Sequence, residues 1–406
     1  MNSKERILAA INRGEIDHIP LYSWCFGFSP PKYLRWKRNG EEVKYWYTMR
    51  LEHIHTLPQR WDIFDDFKRV KAWLNIGVDD ILDVSLPWSI HPEVKVKDWR
   101  EENGLLCREY QTPEGSLLQK VRKTTEKIPP GWVVQPDKPQ LFEDFNLPRS
   151  LKFPVAEKED VVKLKYLLCK PTDQQLKEYK ERINLIKKFV QENKVLVQGW
   201  SCFGMDGVVW LMGVEKAVIY AMTEPEFFQD VVETVYNFDL MRTEIMLEVG
   251  GVDMIVQRGW YSSIDFWSPD LFRRYTLPNL KKISSLVHQA GVKFGYVMTT
   301  GVMTLLEDLI EAGVDLLYFV DPVQDKVDLG LLREKLKGRM AVAGGINTPL
   351  TLTRGNRNEI EEAVHKAIDI LGEERFILSP VDALFPDTPW ESVEILIQTW
   401  RKICSL

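Results

Sequence analysis

From about Val195 onward, short apolar runs alternate with amphipathic stretches of helical period. Val195–Gly199, Met254–Gln257, Lys293–Met298, Leu316–Val320, Met340–Ala343 and Phe376–Leu378 have the length and the branched or aromatic content of buried strands. Between them, Pro225–Val249, Ser268 through Gln289, Thr304–Ala312 and Glu359–Leu371 repeat apolar positions at helical spacing. Thr223-Glu224-Pro225 and Ser268-Pro269 are helix-start signals. Such β-then-α units, recurring every roughly 30 to 40 residues with short connections, predict a parallel sheet closed as a (β/α)8 barrel.

The first part of the chain is less regular. Its opening, M-N-S-K-E-R-I-L-A-A-I-N-R-G, reads as an amphipathic helix and not as a signal peptide. Asp17–Ser23 is the first strand expected, and Val78–Leu82 the second, with Asp79 and Asp80 inside it. Between about residues 92 and 154 the pattern turns to short polar strands broken by Pro and Gly, and T-P-E-G within Tyr110–Gln119 signals a hairpin. This stretch reads as a small β-rich insertion on one loop of a single barrel domain spanning residues 1–406. Near the other end, Phe376–Leu378 leads into a polar turn with Asp382, Pro386 and Asp387. Thr388 and Glu391 then have capping-box spacing, with Pro389 as the first helical residue.

In a parallel α/β barrel, ligands and reacting groups collect past the C-terminal strand ends. That rule yields the candidates directly: Trp24 and Cys25; Asp80 and Asp83; Trp200, Ser201 and Asp206; Arg258, Trp260, Tyr261 and Ser262; Tyr296, Met298, Thr299 and Thr300; then Asp321, Asn347 and Asp382. Carboxylates recur among them, and in a desolvated pocket they serve as proton donors or acceptors, with Asp80, Asp206 and Asp382 the catalytic candidates. Large aromatics recur too. Trp24, Trp200, Trp260, Tyr261 and Tyr296, with Arg258 and Asn347, are the substrate-binding candidates, suited to a flat conjugated ligand or a quaternary ammonium. For each carboxylate the plainer reading is capping or pairing with arginine. For most of the 14 tryptophans it is ordinary packing.

Composition narrows the classes. The net charge of −6 and the dispersed basic residues exclude a nucleic-acid patch. No apolar run reaches the length of about 20 residues that spans a bilayer. Cys25, Cys107, Cys169, Cys202 and Cys404 form no C-x-x-C pair and read as reduced thiols of a cytoplasmic protein. His53 and His55 in H-I-H lie on what reads as a helix, where i and i+2 diverge, so no zinc constellation is expected. Gly344-Gly345 in A-G-G-I-N marks a place where backbone is closely approached.

Segments spread along the chain resemble the uroporphyrinogen decarboxylase superfamily, which also contains corrinoid-dependent methyltransferases. They are E-R-I-L-A-A-I-N-R-G-E-I-D-H-I-P, G-V-D-D-I-L at Gly77–Leu82, Q-G-W-S-C-F-G-M-D-G at Gln198–Gly207, W-S-P-D-L-F-R-R-Y-T-L-P at Trp267–Pro278, A-G-G-I-N, and D-A-L-F-P-D-T-P-W-E-S-V. The resemblance implies a (β/α)8 barrel with its cleft at the C-terminal strand ends. It matches Asp80 to the decarboxylase's pyrrole-binding aspartate. The decarboxylase's arginine pair falls on W-C-F-G-F-S-P, which has no arginine, and its histidine falls on Asp382. The zinc ligands of the methyltransferases fall on Val297/Thr299 or Met298/Thr300 and around Ser379–Asp382, none of them thiol or imidazole. The resemblance therefore implies a zinc-free branch. The first expectation is methyl transfer to a corrinoid (cobalamin) on a partner protein, with no tightly bound cofactor and no zinc. The alternatives are decarboxylation of a carboxylate substrate, which gains weight if Arg35, Arg38 or Arg50 lies in the cleft beside Arg258, and a barrel that binds a small molecule without catalysis.

Overall fold

The computed structural model describes residues 1–25, 33–38, 41–46, 63–123, 137–372 and 376–406. His53, His55 and Arg50, and the side chains of Arg35 and Arg38, lie outside the described residues. The first two strands, β1 (Tyr33–Arg38) and β2 (Glu41–Trp46), form an antiparallel pair. Next along the chain comes β3 (Ile81–Ser85). A four-stranded antiparallel sheet follows, ordered β4 (Lys95–Arg100), β5 (Leu106–Thr112), β6 (Gly115–Val121) and β7 (Ser150–Lys152). Thr112 pairs with Gly115, so the P-E dipeptide makes the tight turn expected there. The Thr112 hydroxyl accepts from the Glu114 N–H at 3.2 Å and donates to the Gly115 carbonyl at 2.7 Å.

The remaining strands are β8 (Leu196–Cys202), β9 (Met254–Gln257), β10 (Lys293–Val297), β11 (Leu316–Val320), β12 (Ala341–Asn347) and β13 (Phe376–Val381). With β3 they make one seven-stranded sheet in the order β13-β12-β11-β10-β9-β8-β3. Every neighbouring pair in it is parallel. Chain order and spatial order coincide, as consecutive β-helix-β units dictate. The sheet curls until both of its edges meet one segment. The Tyr22 N–H donates to the Leu378 carbonyl, and the Asp79 N–H donates to the Leu21 carbonyl, each at 3.0 Å. This contact is a pair of isolated bridges at Leu21 and Tyr22, not the longer strand expected over Asp17–Ser23. Pro20 within that stretch has no N–H to give to a ladder.

Alternation sorts the side chains. On β12, Ala341 and Ala343 face the inner core and Val342 the helices outside. Ile81, Leu196, Met254, Val256, Leu316 and Ile377 fill the inside of the curl. The helix Ser3–Asn12 covers its N-terminal end with Ile7, Ala10 and Ile11. The glycines of A-G-G-I-N serve this packing: a Cβ on Gly344, at φ 147°, would lie 2.3 Å from the Val320 carbonyl of the adjoining strand.

Two boundaries differ from expectation. The strand expected from Val78 starts at Ile81, so Asp79 and Asp80 precede it. The Asp79 carboxylate binds Arg6 Nη1 at 2.5 Å, and that of Asp80 accepts the Ile81 N–H at 2.9 Å, a local bond that competes with ladder pairing. The last helix is Trp390–Ile403, without the Thr388/Glu391 capping box. The Thr388 hydroxyl instead accepts the Phe385 N–H at 3.1 Å, closing the turn before the helix. No described helix is long and apolar enough to cross a membrane.

Candidate active site at the C-terminal mouth

The inward positions nearest the C-terminal strand ends are aromatic. Trp24 lies just after the bridging segment, Trp200 near the end of β8, Trp260 just past β9 and Phe319 near the end of β11. The ring centroids of Trp24, Trp200 and Trp260 stand 5.8 to 6.4 Å apart, and Phe319 lies 6.5 Å from Trp24. These rings form a packed floor. Trp24 and Trp200 are buried within it, while Trp260 is partly open to the mouth.

One inward position below Trp200 lies Asp83, on β3 opposite Gln198. Its Oδ1 accepts from Trp200 Nε1 at 2.7 Å and from Gln198 Nε2 at 2.5 Å. The Tyr318 hydroxyl donates to Gln198 Oε1 at 3.0 Å, extending the chain of bonds across the inside of the curled sheet. Burial raises the Asp83 pKa, with Arg69 as the main opposing charge. Asp83 thus orients the floor from beneath.

A second cluster lies at the end of β9. The Arg258 guanidinium is sandwiched between Trp210 and Trp260, at 4.6 and 4.5 Å from their centroids. Its Nε donates to Asp206 at 3.1 Å and its Nη2 to Asp144 at 3.0 Å. Asp206 sits in the first turn of the helix Gly204–Met212, fully buried, and also accepts the Tyr261 N–H at 2.8 Å. Burial pushes its pKa up to about 6 in spite of Arg258. Asp144 comes from the short helix Asp144–Arg149 and accepts the Trp210 indole N–H at 2.9 Å. Asp382 directly follows β13. Its Oδ2 accepts the Trp260 indole N–H at 2.7 Å, it is partly open to the mouth, and burial raises its pKa.

The structure therefore brings together Trp24, Trp200, Arg258, Trp260, Tyr261, Asp206 and Asp382 of the expected residues. It places three elsewhere. Asp80 lies 3.6 Å from Arg69, and its N–H reaches Ser3 Oγ at 3.4 Å, beside the helix that covers the opposite end. Burial pushes its pKa up to about 7. The Tyr296 hydroxyl bonds that of Ser262, which in turn donates to the Gly259 carbonyl. Asn347 caps a turn, accepting the Leu350 N–H at 2.7 Å and donating to Asp321 at 2.7 Å. Asp321 itself accepts the Val323 and Gln324 N–H groups. Asp144, Gln198 and Phe319 were not singled out from sequence. Asp83 is among the strand-end candidates, and the structure places it on the inward face of β3 with Ile81, while Leu82 and Val84 face the helices. Among the described residues no group of three or more His, Cys, Asp or Glu side chains converges to hold a metal ion.

Comparisons with known proteins agree with this architecture. A methyltransferase from Methanosarcina mazei superposes with a TM-score of 0.60 at 16% identity, covering 99% of this chain and 99% of that one. A B12-independent methionine synthase from Shewanella sp. W3-18-1, at 11% identity and a TM-score of 0.45, covers 96% of this chain and 97% of its own. No curated protein sequence matches the chain. The profile described as Uroporphyrinogen decarboxylase (URO-D) matches residues 142–403, a stretch that holds Asp144, Asp206, Arg258, Trp260 and Asp382. With its parallel strands in unbroken order and this mouth at their C-terminal ends, the chain belongs to the uroporphyrinogen decarboxylase (URO-D) family.

Proposed function

We propose that this protein is a methyltransferase: it binds a small methyl donor on the aromatic floor and passes the methyl group to an acceptor on a corrinoid protein. The frame for this reading is a complete (β/α)8 barrel with Leu21–Tyr22 as its eighth strand, supported by the bridges to Leu378 and Asp79. The observation that carries it is the pair Asp382 and Trp260. Asp206 is engaged by Arg258, Asp83 is held under the floor, and Asp80 sits toward the other end. Asp382 alone of these carboxyls is partly open to the mouth, with its pKa raised and one oxygen fixed by an indole N–H.

The chemistry follows from that placement. Breaking the bond between methyl carbon and heteroatom leaves the electron pair on the heteroatom. The Asp382 carboxyl gives its proton there, which neutralises the leaving group as charge develops. Trp260 holds the carboxyl in place and offers a ring face to a flat donor. A reduced corrinoid on the partner would supply the nucleophile. The zinc seen in related methyltransferases does not fit here. The matching positions, Val297, Met298, Thr299 and Thr300, offer hydrocarbon, thioether and hydroxyl in place of imidazole and thiolate, and no step above is routed through a metal. Decarboxylation of a polyacid receives no comparable support, because Arg258 already has two carboxylate partners.

The test is turnover of chemically reduced cobalamin to methylcobalamin with a panel of O-, S- and N-methyl donors, followed by absorbance. Turnover by the native protein and its loss in Asp382→Asn is the expected result. No turnover with any donor, or full activity in D382N, refutes the proposal.

A further inference from the structure

A groove of about 710 Å³ lies beside the mouth. One wall is the strap on either side of β7, with Leu147 and Pro148 before it and Phe153 after it. The other is the junction between the helices Gly204–Met212 and Val214–Thr223. The strap is tied down beyond the groove. The Val155 N–H donates to the Leu211 carbonyl at 3.0 Å, and the Tyr220 hydroxyl donates to the Ala156 carbonyl at 2.9 Å. The junction is Gly213, at φ 79°, and the Phe153 ring lies 2.5 Å from where a Cβ would stand. Only glycine meets both demands, so the groove's depth is written into the sequence at this residue.

Two features give the groove a ligand chemistry. Its inner end is Tyr261, whose N–H bonds Asp206 and which therefore stands between the groove and the Arg258 cluster. Its outer lip carries Lys152 and Lys216, both exposed, against a single acid, Glu215. Among the described residues neither lysine is within ion-pair distance of a carboxylate, whereas Arg258 has two. The lip also carries Leu151, 51% exposed. The result is an apolar trough, closed by an aromatic ring at the active-site end and opening on net positive charge.

We propose that this groove is an accessory subsite for a small molecule with an apolar arm ending in an anionic group, a carboxylate or a phosphate, whose other end points past Tyr261 to the mouth. The volume falls within the range of about 300–1,000 Å³ typical of small-molecule sites. The link to the mouth rests on the reading of the mouth as the active site, while the binding chemistry of the groove does not.

Isothermal titration calorimetry of the full chain tests it, using sodium octanoate and octyl phosphate as probes and octylammonium as the control. At least one anion is expected to saturate a single site and to bind at least tenfold more tightly than octylammonium. Which anion binds more tightly distinguishes carboxylate from phosphate. The double variant Lys152→Glu/Lys216→Glu is expected to weaken anion binding at least tenfold, and Ala156→Phe to abolish it by filling the groove. The charge variant alters only exposed side chains, so it remains informative if A156F folds poorly. Equal binding of octylammonium, undiminished binding in K152E/K216E, or no saturable binding of either anion overturns the proposal. No methyl donor or cobalamin is present, so an inactive result in the transfer assay leaves this test unaffected.

Discussion

Replacing Arg258 by methionine removes a buried cation and leaves two carboxylates behind, the buried Asp206 and the partly exposed Asp144. Asp206 is fully buried, 3.1 Å from Arg258 Nε, and its other bond is to a peptide N–H. At pH 8 Asp206 in R258M either keeps a buried charge without that counter-charge, at about 3–5 kcal/mol, or takes up a proton about two units above its pKa of about 6, which limits the cost to about 3 kcal/mol. The variant also loses stacking on Trp210 and Trp260, together worth about 1–2 kcal/mol. At pH 5 the balance changes. The Asp206 pKa is already about 6 with Arg258 present, and losing the cation drives it higher. The carboxyl is then neutral, and the cost falls to the stacking and hydrogen bonds, about 1–3 kcal/mol. Urea unfolding followed by tryptophan fluorescence at both pH values reads the difference as a shift in midpoint. Adding Asp206→Asn removes the stranded charge and is expected to restore at least half of the loss at pH 8, since the amide oxygen still accepts the Tyr261 N–H. An equal loss at pH 5 and pH 8, or a double variant no more stable than R258M, would falsify the view that Arg258 is chiefly the counter-charge of Asp206.

Burial raises the folded-state pKa of Asp79 and Asp206 to about 6, and that of Asp80 and of Asp239, which accepts the Phe203 and Gly204 N–H groups, to about 7; His18, lowered to about 4 by burial, opposes them, so between about pH 4 and 7 these groups together bind more protons in the folded chain than in the unfolded one. Stability therefore falls as pH rises through that window. Urea midpoints are expected to drop from pH 4.5 to 7.5, and a rise would contradict the assignment. Asp382→Asn is expected to lower kcat at least about a hundredfold. Trp260→Phe removes the indole N–H that favours the Asp382 carboxylate, so the basic limb of the activity profile moves to higher pH. An unmoved limb counts against Asp382 as the acid. Asp83→Leu strands the buried Trp200 and Gln198 donors at a cost of about 1–3 kcal/mol each. Asp83→Asn keeps an acceptor oxygen and is expected to cost less than half as much. Equal midpoints for the two variants would show that Asp83 does not orient the floor.

The parallel strands were legible because they are buried on both faces and so read as apolar runs. Met254–Gln257 and Leu316–Val320 match expectation to the residue. Boundaries failed where short polar side chains bond the local backbone, at Asp80 and Thr388, because a propensity pattern does not register that competition. The three tryptophans of the aromatic floor follow from the strand ends, and Phe319 does not. The roles of the carboxylates do not follow either, because Asp80 and Asp83 lie three residues apart in one apolar segment, yet the first sits before β3 beside the covering helix and the second points inward beneath the floor. Asp144 gave no signal at all. It reaches Arg258 from a short helix 114 residues earlier, and nothing in its own neighbourhood marks a strand end.

The bridging segment also fixes an order of events during synthesis. Leu21 and Tyr22 meet Leu378, and the Trp400 indole N–H reaches the Ile19 carbonyl across 381 residues of chain. At a ribosomal pace of about 5–20 residues per second, the N-terminal segment waits tens of seconds for its last partner to emerge. Until then the leading edge of the growing sheet stands open, and Trp24 has no completed floor to join. Loss of the final β-helix unit would leave the β12 edge unpaired and the bridging segment joined on the Asp79 side alone. A nascent chain arrested before Phe376 is therefore expected to be the form of this protein most prone to pair with a copy of itself.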